Sequence, residues 1–145
     1  MYDNILVPTD GSEAMAGVVD HAERVAAEHG ATLHALHVTN TASLADLPME
    51  SSWEGVTQAL KHQGEEAIEG VEDRIDSDIT VETAVLDGSP AKEIVTYAEM
   101  NDCDCIIMGT HGRSGVDRLL LGSVAERVVR SAPVPVTTIR VDIDE

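Results

Sequence analysis

Three glycines and a serine in the second half of the chain have the spacing of a phosphate-binding loop. Gly109, Gly112 and Gly122 would let the backbone approach a ligand closely. Ser123 directly follows the last of these glycines, where its hydroxyl would lie beside the unpaired N–H groups at the start of a helix. Because hydroxyl and N–H groups are donors for an anion, the segment G-x2-G-x9-G-S predicts a site for phosphate groups.

The charge distribution favours an anion site in this segment, although the whole chain is acidic. Its 145 residues include 9 Lys and Arg against 27 Asp and Glu, which gives a formal net charge of −18. Residues 109–130 hold four arginines and two acidic residues, so this stretch has a positive balance. Alternatively, the arginines only offset a crowded acidic surface and the glycines only turn the chain.

The elements that must position this segment alternate between strands and helices. Apolar runs predict strands at residues 4–7, 32–38, 79–86, 105–108 and 134–141. Amphipathic segments between them predict helices that start after Ser12, at Trp53, after Ser89 and at Ser123. The first of these helices should end at Gly30, and the last should pack through Val124, Val128 and Val129. This order predicts an α/β fold with a single doubly wound, five-stranded parallel sheet and helices on both faces. We expect residues 1–145 to form one domain.

In such a sheet, ligands bind beyond the carboxyl ends of the strands, where the winding direction reverses. Two turns lie at that edge: residues 8–12 after the first strand, and the glycine segment after the fourth. Asp10 supplies a carboxylate in the first turn. This carboxylate either contacts a ligand or only forms an Asx turn before the first helix.

Four segments, which follow one another along the chain in the same order as in that family, together resemble the universal stress protein family. The glycine segment is similar to that family's ATP-binding signature, and residues 4–12, N-I-L-V-P-T-D-G-S, look like its first strand and turn. His37-Val38 and residues 133–136 are similar to the ends of its second strand and to its last strand. The resemblance implies a strand order of 3-2-1-4-5, with ATP in the crevice between strands one and four. It also implies Mg²⁺ held through the phosphates, and a homodimer through residues 134–141.

Carried over position by position, the resemblance implies which residues contact the nucleotide. The Asp10 carboxylate would lie near adenine or ribose, and the Val38 backbone would read the adenine edge. The glycines, the Ser123 hydroxyl and nearby N–H groups would hold the phosphates. The implied binding residues are Pro8, Thr9, Asp10, Val38, Met108, Gly109, His111, Gly112, Arg113, Gly122, Ser123 and Val124. No catalytic residue and no protein ligand to a metal are predicted.

The resemblance implies a dimeric, ATP-binding stress or signalling module with slow or no hydrolysis. The alternatives are a dimeric scaffold that does not bind nucleotide and a slow ATPase. A catalytic nucleotide enzyme is disfavoured because the sequence has neither a G-x4-G-K-[ST] nor an S-G-G-x-D-S loop. A response-regulator receiver needs a lysine after the fifth strand, where this chain has only Arg140 as a basic residue.

Composition argues against several other classes. Aromatic residues make up 2% of the chain, so the stacking platforms of single-strand nucleic-acid binders are missing, and the net charge repels phosphate backbones. No apolar run approaches the ~18 residues of a membrane span, and no signal-peptide layout opens the chain. We therefore expect a cytoplasmic protein with no nucleic-acid or membrane partner. Its acids are spread along the chain, which suggests a halophile's salty cytoplasm.

Overall fold

The described residues form a five-stranded sheet flanked by four helices. The computed structural model describes residues 1–40, 53–110 and 122–141. The strands are β1 (Asn4–Pro8), β2 (Thr32–Asn40), β3 (Val81–Gly88), β4 (Cys105–Gly109) and β5 (Val136–Ile139). The helices are α1 (Ala16–His29), α2 (Trp53–Arg74), α3 (Pro90–Met100) and α4 (Ser123–Ser131).

All strand pairs in this sheet are parallel, in the order β3-β2-β1-β4-β5. The predicted fold class and strand order are confirmed. In the register, Ile5 of the central strand lies between Leu33 of β2 and Cys105 of β4. The carboxyl ends of β1, β2 and β4 therefore lie at one edge of the sheet, which we call the carboxyl edge.

The sheet is buried on both faces, since two hydrophobic clusters lie on its opposite sides. One cluster joins Ile5 and Val7 of β1 to α1 and α2, and the other joins Leu6 to α3 and α4. Val128 of α4 is fully buried, but Val129, which the sequence pattern placed on the packing face, is 45% exposed. That prediction was wrong because one residue turns a helix by about 100°, so Ala125 packs in its place.

Two boundaries differ from the sequence prediction. Strand β5 covers four residues rather than 134–141. At its start, Pro135 lacks an N–H and contributes only its carbonyl, which accepts from Ile106 N–H at 3.0 Å, and beyond its end Val141 N–H donates to the Thr110 hydroxyl instead of to a strand. Helix α1 starts at Ala16 because a 3₁₀ turn, Glu13–Met15, precedes it, and the Ser12 side chain makes no capping hydrogen bond. Helix α1 ends as predicted at Gly30, whose φ of 67° suits glycine.

Both cysteines are free and buried. Burial is the main cause that raises the pKa of Cys103 to about 12 and that of Cys105 to about 11. Both thiols are therefore protonated and unreactive at neutral pH. Within the described ranges, no helix combines the length and the apolar character that crossing a bilayer would require.

Asp104 ties the start of β4 to the start of β1. Its Oδ2 accepts hydrogen bonds from the backbone N–H groups of Asp3 at 2.6 Å and Asn4 at 2.9 Å. These hydrogen bonds, with Asn4 contributing most, lower the pKa of the Asp104 carboxyl. A carboxylate with a lowered pKa stabilises the fold at neutral pH, and this contribution is lost as the pH falls through its folded-state pKa.

We predict that Asp104→Asn lowers the stability at pH 7 by about 1 kcal/mol, since the neutral amide is a weaker acceptor for the two N–H groups. The difference from the wild type should shrink as the pH falls below about 4, where the wild-type carboxyl takes up its proton. Thermal unfolding between pH 2 and 7 measures this. Asp102→Asn is the matched control, because Asp102 has a φ of 53° that asparagine tolerates. Equal effects of the two substitutions would contradict the assignment.

The acidic side chains lie at the surface. Every Asp and Glu whose burial is described is at least partly exposed. Helix α2 concentrates these charges in Glu65, Glu66, Glu69, Glu72 and Asp73. Like charges three or four residues apart on a helix repel one another, and this repulsion weakens as salt screens it.

We therefore expect the melting temperature to rise by about 5 °C or more between about 0.1 M and about 2 M KCl, as the Debye length falls below about 10 Å. The double variant Glu65→Gln/Glu69→Gln should show a smaller rise, because it removes the four like-charge pairs that these two residues form at a spacing of three or four. A melting temperature that stays level or falls with KCl, or an unchanged slope in the variant, would contradict this expectation.

Candidate functional site

The turn after β1 is held against β2 by the backbone and side chain of one residue, Thr9, which is 7% exposed. Its N–H donates to the Leu36 carbonyl at 2.8 Å, and its own carbonyl accepts from His37 Nδ1 at 3.0 Å. Its hydroxyl oxygen accepts from Gly11 N–H at 3.0 Å. The turn that carries the predicted ligand residues is therefore fixed in place before any ligand binds.

The two carboxylate oxygens of Asp10 have different surroundings. Oδ1 accepts a hydrogen bond from Ser12 N–H at 2.9 Å, which is an Asx turn. Oδ2 is enclosed and has no hydrogen-bond partner among the described residues. An enclosed acceptor without a partner is costly in a folded protein. Asp10 thus forms the turn with one oxygen, while its other oxygen has no partner among the described residues.

The end of β4 and the start of α4 are joined although twelve residues separate Gly109 from Gly122. Gly122 N–H donates to the Thr110 carbonyl at 2.7 Å, and Thr110 N–H donates to the Ile139 carbonyl at 3.0 Å. Val141 N–H donates to the Thr110 hydroxyl at 3.3 Å. These contacts bring the first and last glycines of the G-x2-G-x9-G-S segment to the same part of the carboxyl edge.

The N-terminus of α4 supplies the donors for an anion. Gly122 is the N-cap, with φ −67° and ψ 163°, and its carbonyl accepts from Glu126 N–H at 2.9 Å. Since the Gly122 N–H is already bonded to Thr110, the N–H groups without an acceptor inside the helix are those of Ser123, Val124 and Ala125, and the Ser123 side chain is exposed beside them. The helix dipole favours negative charge at this position.

The register places the other predicted residues relative to this turn. Leu6 pairs with Ile106, so Pro8 is level with Met108 at the ends of β1 and β4. Pro8 pairs with Leu36, so Val38 lies on β2 two residues beyond the end of β1. The side chains of Met108 and Val38 pack in the core cluster with Leu6.

The remaining predicted residues, His111, Gly112 and Arg113, lie outside the described residues. The described part of the chain contains no group of three or more His, Cys, Asp or Glu residues placed to hold a metal ion.

A separate cleft of about 300 Å³ lies between α3 and α4. It is lined by Ser89, Ala91, Lys92, Val95, Thr96, Arg127 and Ser131. None of these residues belongs to the predicted nucleotide set, and the sequence analysis did not identify them as a group. A sequence feature that could have revealed the cleft is the spacing of four residues between Lys92 and Thr96 and between Arg127 and Ser131. This spacing puts the two members of each pair on one face of a helix.

Comparisons with known proteins give consistent results. Residues 1–140 match the sequence pattern of the Universal stress protein family. The universal stress protein MJ0531 of Methanocaldococcus jannaschii is 40% identical over 141 residues, which span 97% of this chain and 83% of that protein.

Solved structures of similar proteins share the architecture. Universal stress protein UspA from Lactobacillus plantarum has a TM-score of 0.80 at 29% identity, over 96% of this chain and 98% of that chain. The universal stress protein from Archaeoglobus fulgidus in complex with dAMP has a TM-score of 0.64 at 23% identity, over 97% of this chain and 98% of that chain. The second likeness concerns the fold alone.

Proposed function

The chain belongs to the universal stress protein family, and we propose that it is a member that binds ATP at the carboxyl edge between β1 and β4. The observation that carries this proposal is the enclosed, unpartnered Oδ2 of Asp10. It lies at the same edge as the N-terminus of α4, which Thr110 anchors through Gly122. A ligand that carries both hydroxyl donors and a strong negative charge fits these two features together.

The two ends of a nucleoside triphosphate correspond to these two features. Asp10 Oδ2 accepts hydrogen bonds from the ribose hydroxyls or the adenine amino group, and the Val38 backbone contacts the base edge. The Ser123 hydroxyl and the first N–H groups of α4 donate to the phosphates. Mg²⁺ binds with the nucleotide and neutralises part of its charge. A protein of the same fold, from Archaeoglobus fulgidus, has been solved in complex with dAMP.

Binding rather than rapid hydrolysis is the activity that these residues support. The Thr9 hydroxyl oxygen accepts from Gly11, and the Thr9 carbonyl accepts from His37. These polar groups therefore hold the turn and are not placed to activate a water molecule.

We propose that nucleotide binding alters the surface of a dimeric signalling protein in a salty cytoplasm, where screening weakens the repulsion between ATP and the acidic surface.

Asp10→Asn tests the nucleotide contact, because the amide retains an acceptor for Ser12 N–H but replaces Oδ2 with a donor. We expect Mg·ATP to bind about 10- to 100-fold more weakly, as expected when a hydrogen bond to a charged group is lost. Isothermal titration calorimetry in molar KCl measures the dissociation constant. The substitution also removes a negative charge, which by itself would strengthen the binding of an anion.

Asp3→Asn is the matched control, since it removes the same charge from the opposite end of β1. This variant should bind Mg·ATP as tightly as the wild type or slightly more tightly. If wild-type protein binds no Mg·ATP, the proposal fails and the scaffold alternative is favoured. If Asp10→Asn binds as well as Asp3→Asn, the nucleotide contacts a different part of the protein.

We also propose that β5 pairs with a second copy of the chain to form a homodimer. β5 lies at the edge of the sheet beside β4. Ile106 N–H donates to the Pro135 carbonyl and Thr110 N–H to the Ile139 carbonyl, so the odd-numbered residues of β5 bond to β4. The N–H and carbonyl of Thr138 are therefore directed to the free edge, where a second strand can pair with them.

Thr138→Pro should convert the dimer to a monomer, because proline removes the outward N–H of β5 without removing a donor to β4. Light scattering in high KCl measures the mass. Thr138→Val retains this N–H and should remain dimeric. A dimeric Thr138→Pro protein, or a monomeric wild type, would contradict pairing through this edge.

A further inference from the structure

His37 joins the predicted nucleotide site to the helix behind it. It lies in β2, is 8% exposed, and its Nδ1 is 3.0 Å from the Thr9 carbonyl. Since a carbonyl oxygen only accepts, the Nδ1 of His37 must carry the proton in this contact. The residue after Thr9 is Asp10, so this bond fixes the backbone from which the unpartnered carboxylate extends.

The imidazole of His37 occupies space left by a glycine in the middle of α2. A Cβ atom on Gly64 would lie 3.0 Å from His37 Cδ2 and 2.9 Å from Val85 Cγ1. His37 and Val85 are paired in the β2–β3 register, so both side chains face the same helix. A methyl group at position 64 would therefore press on both side chains.

Gly70 shows that glycine in α2 is not everywhere required by packing. It lies in the same helix, and a Cβ atom at that position would meet nothing within 4 Å. Glycine destabilises a helix interior relative to alanine. At position 64 the destabilising effect of glycine is offset because its missing side chain lets the imidazole of His37 approach closely. At position 70 no neighbouring atom requires a glycine.

We propose that His37 is a positioning residue for the nucleotide site, and that Gly64 is the residue that lets it reach the Thr9 carbonyl. The effect on affinity rests on the proposed ATP binding, whereas the effect on the turn can be measured without nucleotide. His37 touches no ligand in this assignment. It acts through Thr9, by holding the backbone next to Asp10 at the carboxyl edge.

Amide hydrogen exchange of the nucleotide-free protein tests the hold on the turn. His37→Leu removes the donor to Thr9, and the Gly11 and Ser12 amides should exchange at least about tenfold faster, as expected for the loss of one hydrogen bond. His37→Asn places a side-chain N–H near the position of Nδ1 and should restore most of the protection. Amides in α3, far from the turn, report whether either substitution lowers the stability of the whole domain.

Gly64→Ala and Gly70→Ala form the matched pair for nucleotide binding. Gly64→Ala should weaken Mg·ATP binding by about tenfold, as His37→Leu does, because a displaced imidazole cannot hold Thr9. Gly70→Ala should leave the affinity unchanged and raise the melting temperature. In the double variant His37→Leu/Gly64→Ala the two losses should not add, since both act through one contact.

The outcomes separate the two proposals. Unchanged exchange at Gly11 and Ser12 in His37→Leu overturns the positioning role, whether or not ATP binds. If the wild type binds no Mg·ATP, the proposed function fails, and exchange alone decides whether His37 holds the turn. If Gly64→Ala binds Mg·ATP as tightly as Gly70→Ala, or if the losses in the double variant add fully, Gly64 does not act through His37. Should His37→Leu fail to fold, the Gly64 and His37→Asn variants decide the same question.

Discussion

The pairing of β1 between β2 and β4 is the constraint on which the site depends. Ile5 and Val7 pack against one pair of helices and Leu6 against the other, so this strand has no exposed face. Its parallel neighbours end at the same edge and carry Val38 and Gly109 there. A strand fixed on both faces and both edges leaves its carboxyl end little freedom, and the turn at Asp10 is consequently held in one place.

The acidity of the chain is an average over two different environments. The exposed carboxylates of α2 are solvated and have few basic partners, whereas the start of α4 combines a helix N-terminus with Ser123. A net charge of −18 thus argues against an extended polyanion as a ligand, because a long polyanion would be repelled by much of the acidic surface. It does not argue against a small nucleotide bound at one positive helix end, particularly where salt screens the remaining charges.

Much of the architecture could be predicted from the sequence, because buried parallel strands form continuous apolar runs and their helices show regular spacing. The strand order followed from the family resemblance, since periodicity alone does not decide which strands are neighbours. The errors have local causes: Val129 lies one residue beyond the packed face of α4, and β5 ends before Val141, whose N–H donates to the Thr110 hydroxyl instead of to a strand. The contacts of His37 with Thr9 and Gly64 could not be predicted, because they depend on a register and a helix packing that the sequence does not display.

The most direct test of the account is a crystal structure of the protein grown with Mg·ATP in molar KCl. The account predicts the ribose or adenine of ATP within hydrogen-bond distance of Asp10 Oδ2, and a phosphate on the Ser123 hydroxyl and the first N–H groups of α4. It also predicts the Thr9 carbonyl still bonded to His37. Nucleotide bound elsewhere, such as in the cleft between α3 and α4, or no nucleotide at saturating concentration, would contradict the central claim.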